Sequence, residues 1–453
     1  GYCFGGKFMS AVQNQGADLE LEITPDYQLA LDAVERGDPY IFISGKAGTG
    51  KTTLISHLRK TISGNVVVLA PTGVAALQVR GVTIHSFFRL PPRLIFPEED
   101  IKPLRSSRER QLYKDIRLLI IDEISMVRAD LVDAIDLFLR ENGPQKGEPF
   151  GGIQIMFVGD LFQLPPVVSS SDMHILHERG YEGPYFFCAM ALHRKDITMI
   201  ELTKIFRQKD AHFAQLLNQI RINEDIEVAL ETINDACFAK AAEPDPMTIT
   251  LTTTNARADM INHGELKNLT SDATSFTGKL EGKFNVDERN LPSPMNLILK
   301  PGSKVMFTAN DNGFPKKWVN GSIGIVHEIS KDKIKVKIPN GAYTNMVEVT
   351  PFKWESYKYD HDMVSGKIKP NVIGSYEQMP LMLAWAVTIH KSQGKTLDKV
   401  KVDLSSGAFA SGQVYVALSR CRSIEGISLE RPIVLKDVRC DPEIKRFYMA
   451  CLP

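Results

Sequence analysis

The sequence predicts an α/β protein built on two parallel-sheet cores, with a small β-rich insertion in the second core. Three observations predict this class. Short apolar runs end at glycine or acidic residues, and helical stretches lie between them. After residue 300 the pattern changes to short segments in which apolar and polar residues alternate, separated by hairpin turns. Wholly apolar runs of this length are typical of strands buried on both faces, as in parallel sheets covered by helices.

The first core is predicted from residues 40–43, a wholly apolar run that stops before Gly45. Runs of the same form follow at 66–69, 118–121 and 155–158. Between them, residues 52–62 and 130–139 carry apolar side chains at spacings of three and four, which is the helical period. This alternation of strand and helix predicts a parallel sheet covered by helices.

The pattern starts again after about residue 195, which predicts a second core. Its expected strands are at 198–202, 249–252, 383–387 and 400–403, and its expected helices are at 256–266 and 411–419. The region between residues 300 and 360 differs, because its apolar runs are short and alternate with polar residues. These runs are at 305–307, 323–326, 334–338 and 346–349, with turn sequences at 320–321 and 339–341. A small inserted β-barrel is predicted there.

The predicted boundaries follow from these patterns. The first core spans residues 23–195 and includes an insertion at 88–112, and residues 1–22 form an N-terminal tail. The second core is expected in two parts, 196–299 and 361–453, on either side of the barrel at 300–360. Residues 1–8 precede the first methionine, Met9, and are either a cloning remnant or a natural extension.

Composition narrows the class of partner. Lysine plus arginine and aspartate plus glutamate both number 54 in the 453 residues, so phosphate binding has to come from a local groove rather than from a global field. The six cysteines form no C-x-x-C pair, which predicts neither a disulfide scaffold nor a zinc or iron–sulfur site. No apolar run approaches the roughly eighteen residues of a membrane helix. A cytoplasmic protein without a membrane partner is expected.

The strongest motif is Gly-Lys-Ala-Gly-Thr-Gly-Lys-Thr at residues 45–52, which follows a buried strand and opens a helix. Its glycines let backbone N–H groups approach phosphates, and the helix N-terminus adds partial positive charge. Lys51 is expected to reach the β- and γ-phosphates, and Thr52 to offer its hydroxyl to a metal ion. The motif therefore predicts binding of ATP with Mg²⁺.

Two carboxylates end the strand predicted at 118–121. If this strand neighbours the phosphate loop, Asp122 would hold Mg²⁺ and Glu123 would orient and deprotonate the attacking water. A strand that ends in two acids is, taken alone, more often a solvated strand end. The presence of the phosphate loop favours the functional role.

Gln163 follows another strand, within Gly-Asp-Leu-Phe-Gln-Leu-Pro-Pro at residues 159–166. Its side chain either contacts the γ-phosphate or the water, and so reports hydrolysis, or bonds its own backbone as a turn amide. The spacing alone leaves both roles open.

An ordered series of motifs resembles those of superfamily-one helicases, and most closely the Pif type, named for petite integration frequency. Besides the three motifs above, the series comprises residues 70–76, 83–87, 202–208, 386–394 and 414–420. The resemblance covers nearly all of residues 24–450. It implies two RecA-like cores with ATP in the cleft between them, and travel from 5′ to 3′ on the bound strand.

The resemblance also implies roles for individual residues. Gln28 would read the adenine, and Arg207 and Arg420 would reach across from the second core as arginine fingers, each stabilising charge on the γ-phosphoryl. An isolated arginine more often forms a surface ion pair of little value. Two arginines at motif positions favour the catalytic role. The other residues expected at the nucleotide are Ala47, Gly48, Thr49, Gly50, Thr53 and Gly394.

DNA contacts are carried over in the same way, and they use hydroxyls, amides and backbone N–H groups that bind phosphates without reading sequence. Aromatic side chains would stack on bases. The residues concerned are Pro71, Thr72, Gly73, His85, Ser86, Phe87, Thr254, Asn255, His390, Lys391 and Ser392. Each of them singly is more often a loop polar group or a core aromatic. The insertion at 88–112 is either a wedge that meets the duplex junction or a solvated surface loop.

The resemblance implies an ATP-dependent DNA helicase that acts in genome maintenance on single-stranded and tailed duplex DNA, and also on guanine quadruplexes and RNA–DNA hybrids. A bacterial, nucleoid-associated protein that is monomeric at rest and works with replication or repair proteins is expected. The alternatives are a DNA-stimulated translocase or clamp that remodels protein–DNA complexes without unwinding, and a motor that acts on RNA. Phosphate contacts hardly distinguish the two sugars.

Overall fold

The computed structural model describes residues 23–208, 210–238, 245–313 and 315–452. The predicted N-terminal tail, residues 1–22, lies outside the described residues. Within the described part, no helix is both long enough and apolar enough to span a membrane.

Six parallel strands form the sheet of the first core, in the order β3-β2-β4-β5-β1-β6. Their bounds are β1 (Tyr40–Gly45), β2 (Asn65–Ala70), β3 (Val82–Thr83), β4 (Ile116–Ile121), β5 (Gln154–Gly159) and β6 (Ile197–Leu202). β1 and β5 are buried along their whole length, as wholly apolar strands between two helical layers must be. The four strands predicted between residues 40 and 158 are therefore present.

Eight α-helices lie between residues 25 and 178 in this part of the chain. They are α1 (Pro25–Arg36), α2 (Lys51–Thr61), α3 (Gly73–Gln78), α4 (Ile84–Phe88), α5 (Pro97–Asp100), α6 (Ser107–Lys114), α7 (Ala129–Asn142) and α8 (Ser170–Glu178). Helix α1 shows how local sequence sets the bounds. The Thr24 side chain caps its first turn, and Gly37 ends it in the left-handed conformation at φ 80°.

The prediction that residues 198–202 open the second core is wrong. β6 pairs in parallel with β1, with Tyr40 opposite Ile197 and Ser44 opposite Glu201, so it completes the first sheet. The local pattern identified a strand correctly, but pairing depends on a neighbour more than 150 residues away in the chain. The first core therefore extends to Leu202.

The insertion at 88–112 packs against the first core rather than forming a solvated loop. Leu90, Leu94, Ile95 and Leu104 are buried in the same cluster as the residues of α7. Buried polar side chains fix its backbone, because Asp130 accepts from the Ile95 N–H and Asn142 accepts from the Leu104 N–H. Its role as a wedge stays a prediction.

The remaining strands have the following bounds: β7 (Ile249–Thr252), β8 (Thr274–Thr277), β9 (Lys279–Gly282), β10 (Asn296–Leu299), β11 (Lys304–Phe307), β12 (Ile323–Ile329), β13 (Ile334–Asn340), β14 (Tyr343–Val349), β15 (Phe352–His361), β16 (Ile368–Gln378), β17 (Leu381–Leu383), β18 (Ala386–Thr388), β19 (Val400–Asp403) and β20 (Ile427–Leu429). The remaining helices are α9 (Ala211–Ile222), α10 (Ile226–Cys237), α11 (Asn255–Asn268), α12 (Ile389–Ser392), α13 (Gln413–Leu418) and α14 (Pro442–Cys451). Four strands form the parallel sheet of the second core, in the order β18-β7-β19-β20. The predicted α/β class with two parallel-sheet cores is confirmed.

Antiparallel strands occupy residues 274–383, a longer stretch than the predicted 300–360. They form a five-stranded sheet in the order β14-β13-β12-β11-β17, a three-stranded sheet β15-β16-β9 and the pair β10-β8. Among the described strands, β14 and β17 are the unpaired edges of the five-stranded sheet, so its closure into a barrel stays a prediction. We call β15 and β16 together the long hairpin.

The long hairpin reaches back to the first core. The Tyr359 hydroxyl accepts from the Val68 N–H at 3.1 Å, and the Asn65 side chain both donates to the Gly366 carbonyl and accepts from the Ile368 N–H. The C-terminal helix α14 also packs there, with the Phe447 ring stacked 4.1 Å from that of Phe187. Both elements follow β7 in the chain and yet contact the first core, so they hold the two cores together.

Candidate nucleotide and nucleic-acid sites

A cavity of about 590 Å³ lies between the two cores, a volume typical of small-molecule sites. From the first core it is lined by the phosphate loop, residues 47–53, together with Glu123 and Gln163. The opposite side of the cavity is lined by Arg207, Gly394 and Arg420. The structure therefore brings together every predicted catalytic residue and most of the predicted nucleotide contacts.

Two glycines give the phosphate loop its shape. Gly48 and Gly50 have φ near +80°, the left-handed region that favours glycine. A Cβ atom at Gly48 would collide with Arg207, and one at Gly50 would lie 2.6 Å from the Tyr27 hydroxyl. The loop therefore lines the cavity at the start of α2, where the helix N-terminus suits an anionic ligand.

Lys51 is held over this loop. Its ammonium donates to the carbonyls of Gly45 and Lys46 at 2.7 and 3.3 Å. Burial lowers the pKa of Lys51, while the charges of Asp160 and Glu123 act in the opposite direction. A partly desolvated cation in this position favours the binding of a polyanion.

Asp122 and Glu123 follow β4, next to the phosphate loop. Burial, and then the charge of Glu123, raise the pKa of Asp122 to about 7. Burial also raises the pKa of Glu123, against the charges of Lys51 and Arg420. Glu123 has φ +51°, a conformation that a residue with a side chain adopts at a cost of about 1 to 3 kcal/mol. The strand end thus holds two close carboxylates, of which Glu123 faces the cavity.

Two arginines reach the cavity opposite the phosphate loop: Arg207 lies in the segment after β6, and Arg420 follows α13 of the second core. Arg420 is buried, and its guanidinium donates to the carbonyls of Val416, Ser392 and Lys395. The Arg207 side chain donates to the Thr396 hydroxyl and to the Ser419 carbonyl. Burial lowers the pKa of both guanidinium groups. Among the described residues, both cations therefore face the cavity with only neutral hydrogen-bond partners, and an added anion would be attracted to them.

Two predicted nucleotide residues do not line the cavity. The Gln28 amide donates to Asp32 at 2.7 Å, and the neighbouring Tyr27 lines the cavity instead. Asp122 lies behind the lining, buried at the end of β4. The roles of Gln28 in adenine recognition and of Asp122 in metal binding stay predictions.

Sequence reasoning did not single out several residues at this site. Gln78, Phe206, Thr396 and Arg422 also line the cavity. Another is Tyr415, whose hydroxyl accepts from the Ala47 N–H of the phosphate loop at 3.0 Å. Phe206 and Tyr415 lie inside the recognised motifs, so motif membership was a signal for them.

A chain of polar side chains runs from the cavity to the interface between the cores. The Gln163 amide donates to Asp160, and Asp160 pairs with Arg221 of α9 at 3.0 Å. Both members of this ion pair are fully buried, and the guanidinium lies 4.6 Å from the Phe162 ring centre. Gln163 therefore bonds a side chain of its own turn, and it also accepts from the Gln393 amide of the second core.

The groups next to the phosphate loop can be tested for fit to Mg²⁺. Mg²⁺ uses one or two protein oxygens and takes its other ligands from phosphates and waters. The Thr52 hydroxyl opens α2, and the Asp122 carboxylate is buried and has a raised pKa. A buried carboxylate whose charged form is disfavoured gains from a nearby cation, so these residues fit a magnesium ion.

Four threonines cap helices that follow neighbouring strands, two in each core. Thr72 and Thr83 cap α3 and α4 after β2 and β3, and Thr254 and Thr388 cap α11 and α12 after β7 and β18. Each side chain accepts from the N–H three residues on. Helix N-termini bind phosphates, so each core presents a pair of such ends at one sheet edge.

The predicted DNA contacts differ in exposure. Asn255, His390 and Lys391 are exposed, and Pro71, Thr72, Gly73, His85, Ser86 and Thr254 are half-buried. Ser392 is buried, and its hydroxyl donates to the Ile389 carbonyl. Phe87 packs edge-on against Phe88, Tyr113 and Tyr359. Ser392 and Phe87 thus occupy the core roles that the sequence left open, and their DNA contacts stay predictions.

A second cavity, of about 940 Å³, lies between the long hairpin and the helices α4 and α6. Basic side chains outnumber acidic ones in its lining, six against three. The basic residues are Arg89, Arg108, Lys283, Lys358, Lys367 and Lys369, and the acidic ones are Glu109, Asp360 and Asp362. Ser86 and Phe87 also line it. Although the net charge of the chain is zero, basic side chains therefore predominate locally in this cavity.

Comparison with known proteins gives consistent results. The model of the PIF1-like helicase family matches residues 23–234. The ATP-dependent DNA helicase Pif1 of Bdellovibrio bacteriovorus is 32% identical over 445 residues, which cover 95% of this chain and 92% of that protein. The chain spans only 60% to 64% of the length of the vertebrate relatives that it matches.

Solved structures show the same similarity. Pif1 of Bacteroides sp in complex with ADP-AlF4 superposes with a TM-score of 0.85 at 36% identity, over 94% of this chain and 96% of that one. Bacteroides Pif1 bound to ssDNA superposes with a TM-score of 0.66 at 35% identity, over the same shares. These similarities confirm the predicted fold class.

Proposed function

The chain belongs to the PIF1-like helicase family, and on this premise we propose that it is an ATP-dependent DNA helicase. ATP is hydrolysed in the cavity between the cores, both cores hold single-stranded DNA, and the nucleotide cycle drives unwinding of the duplex ahead. The relative from Bdellovibrio bacteriovorus is named an ATP-dependent DNA helicase, and a Bacteroides Pif1 was solved with ssDNA.

One observation carries the proposal. Lys51 and Glu123 of the first core face the same cavity as Arg207 and Arg420. Arg207 follows β6, and Arg420 belongs to the second core. An anion between them would be bonded from both sides. Binding of ATP therefore favours a closed cleft and loss of the γ-phosphate favours an open one, as for other ligands that bind one conformation better.

The chemistry assigns a role to each group. Glu123, half-buried and with a raised pKa, takes the proton of the attacking water. Lys51, Arg207 and Arg420 stabilise the charge that develops on the transferred phosphoryl group, an effect worth about 10³ to 10⁵ in rate for an arginine finger. Thr52 and Asp122 would hold Mg²⁺, which supplies further charge neutralisation and orients the phosphates.

DNA is proposed to run across both cores. The two pairs of threonine-capped helix ends bind successive phosphates, and His390 and Lys391 add exposed donors from α12. Contacts of this kind bind the backbone without reading the bases. If the two cores grip the strand alternately, each opening and closing of the cleft moves the protein along it, and separating one base-pair step costs about 1.4 kcal/mol of stacking.

Further features follow from the family resemblance and belong to the same proposal. From the resemblance we infer movement from 5′ to 3′ and a place in genome maintenance beside replication or repair proteins, and we further propose action as a monomer at rest on the bacterial nucleoid. Guanine quadruplexes and RNA–DNA hybrids are further proposed substrates. We propose that tailed duplex DNA binds in the basic cavity beside the long hairpin.

The test is unwinding of a duplex that carries a single-stranded tail on either its 5′ or its 3′ end. We expect ATP-dependent unwinding from the 5′ tail alone, and its loss in Lys51→Ala and in Arg420→Ala. Unwinding from the 3′ tail would contradict the direction. An Arg420→Ala protein that unwinds at the full rate would contradict the account of the cleft.

DNA-stimulated ATP hydrolysis without unwinding would favour the alternative function, a translocase or clamp that remodels protein–DNA complexes. Both functions use the same ATP site, so hydrolysis alone does not separate them. Displacement of a protein bound to the single strand, measured beside the unwinding assay, would identify the translocase. Equal stimulation by RNA would identify an RNA-directed motor.

A further inference from the structure

Gln393 extends from the second core to the hydrolytic residues of the first. It follows α12 directly, and its amide nitrogen lies 3.3 Å from the Glu123 carboxylate and 3.2 Å from the Gln163 side-chain oxygen. A carboxylate only accepts hydrogen bonds, so the amide must turn its nitrogen toward Glu123, and its two hydrogens can serve both acceptors. One side chain of the second core thus bonds the base and the neighbouring glutamine together.

The same segment reaches the surface proposed to hold DNA. His390 and Lys391, one turn before Gln393, are exposed, and the Gln393 N–H donates to the His390 carbonyl at 3.2 Å. The Arg420 guanidinium donates to the Ser392 carbonyl, and Gly394 lines the nucleotide cavity. Because α12 has only four residues, a shift of its exposed side displaces Gln393 as well.

The hydrogen bond has a chemical consequence for the base. An oxygen of Glu123 that accepts from Gln393 has less electron density to offer to the proton of water, and the donor must be lost or moved before the base is fully available. Asp160 and Arg221 anchor the other end, because Gln163 donates to Asp160 while it accepts from Gln393. The arrangement therefore keeps Glu123 from acting fully as a base while the bond from Gln393 is present.

We propose that Gln393 couples DNA binding to ATP hydrolysis: it restrains the base Glu123 through the bond seen here, and DNA bound at α12 shifts it and releases the base. This inference rests on the proposed function and deepens it, because it assigns DNA stimulation of the ATPase to one positioning residue. Gln393 itself does not line the nucleotide cavity, so its removal should leave ATP affinity unchanged.

The experiment compares steady-state ATP hydrolysis with and without oligothymidylate for wild type, Gln393→Met and Gln393→Ala. Methionine keeps the length of the side chain and removes both donors. We expect the kcat without DNA to rise about tenfold, the size of effect of a hydrogen bond to a charged group. The kcat with DNA and the KM for ATP should stay near wild type, so the stimulation factor falls by the same ratio. Gln215→Met, at an exposed site on α9, is the matched control and should behave as wild type.

A kcat without DNA that is unchanged or lower in both variants would overturn the proposal, as would a loss confined to the DNA-stimulated rate. Oligothymidylate affinity, measured by fluorescence anisotropy, shows that each variant is folded and binds DNA. A wild-type ATPase that is indifferent to oligothymidylate would remove the proposed function itself, together with this coupling. The two failures are therefore distinct.

Discussion

At the scale of single residues, Glu123 shows how the fold changes the properties of a common side chain. It lies at the end of a buried strand, in a left-handed conformation, between the charges of Lys51 and Arg420. Desolvation disfavours the carboxylate and the two cations favour it, and the net effect is a raised pKa. A raised pKa brings the group closer to the range in which a general base is effective.

The pH dependence of hydrolysis tests this. A base acts in its deprotonated form, so the kcat of the DNA-stimulated ATPase should fall on acidification, through an ionisation above the ordinary glutamate value of about 4.3. The measurement is a kcat–pH profile at saturating ATP and DNA. Glu123→Gln should lose hydrolysis across the whole profile. A rate that stays constant to below the ordinary glutamate value would contradict the role of Glu123.

At the scale of elements, the C-terminal helix α14 follows the second core in sequence and belongs to the first core by its packing. Ile444, Phe447 and Tyr448 are buried in the first-core cluster, and Phe447 contacts Phe42, Phe186 and Phe187. The Arg194 guanidinium donates to Glu443 at 2.9 Å beside these rings. Helix α14 therefore crosses from the second core to the first and packs there, and we call it the strap.

Substitution in this strap should lower stability strongly. Phe447→Ala removes a fully buried ring and should reduce the free energy of unfolding by about 3 to 5 kcal/mol, the usual cost of such a cavity. The measurement is denaturant unfolding at equilibrium. Met449→Ala, on the exposed side of the same helix, should change the stability far less. Equal losses for the two variants would show that α14 is not packed as described.

At the scale of the whole molecule, two parallel-sheet cores are joined by a buried ion pair as well as by the strap. Asp160 follows β5 of the first core, and Arg221 lies on α9 of the second. Burial alone would raise the pKa of Asp160, but the charges of Arg221 and Lys51 outweigh it and lower the pKa. Each charge therefore depends on the other, since neither is exposed to water.

A double-mutant cycle measures this dependence. Arg221→Met leaves a buried unpaired carboxylate and should cost about 3 to 5 kcal/mol in the free energy of unfolding. Combining it with Asp160→Asn should recover part of that loss, because no unpaired charge remains. Arg36→Met breaks the surface ion pair with Asp38 and is the control, with an expected loss much smaller than that of Arg221→Met. Additive losses in the double variant would show that the pair does not join the cores energetically.

Sequence alone determined the features that depend on neighbours along the chain. The phosphate loop needs glycine where φ is positive, strands buried on both faces need continuous apolar runs, and the short helices α3, α4 and α12 each begin after a capping threonine. These are local requirements of backbone geometry, hydrogen bonding and burial. The main strands of both parallel sheets, the motif residues of the cavity and the family resemblance therefore follow from the order of the amino acids.

Only the tertiary structure decided which distant segments meet. It placed β6 beside β1, wrapped α14 onto the first core, buried Phe87 among aromatic rings and brought Gln393 to Glu123 across 270 positions of sequence. Such contacts depend on the packing of whole surfaces. The hydrophobic period and the composition of a short segment do not identify the segment that it packs against. The physical reason is that burial and pairing energies belong to pairs of segments, whereas sequence patterns describe one segment at a time.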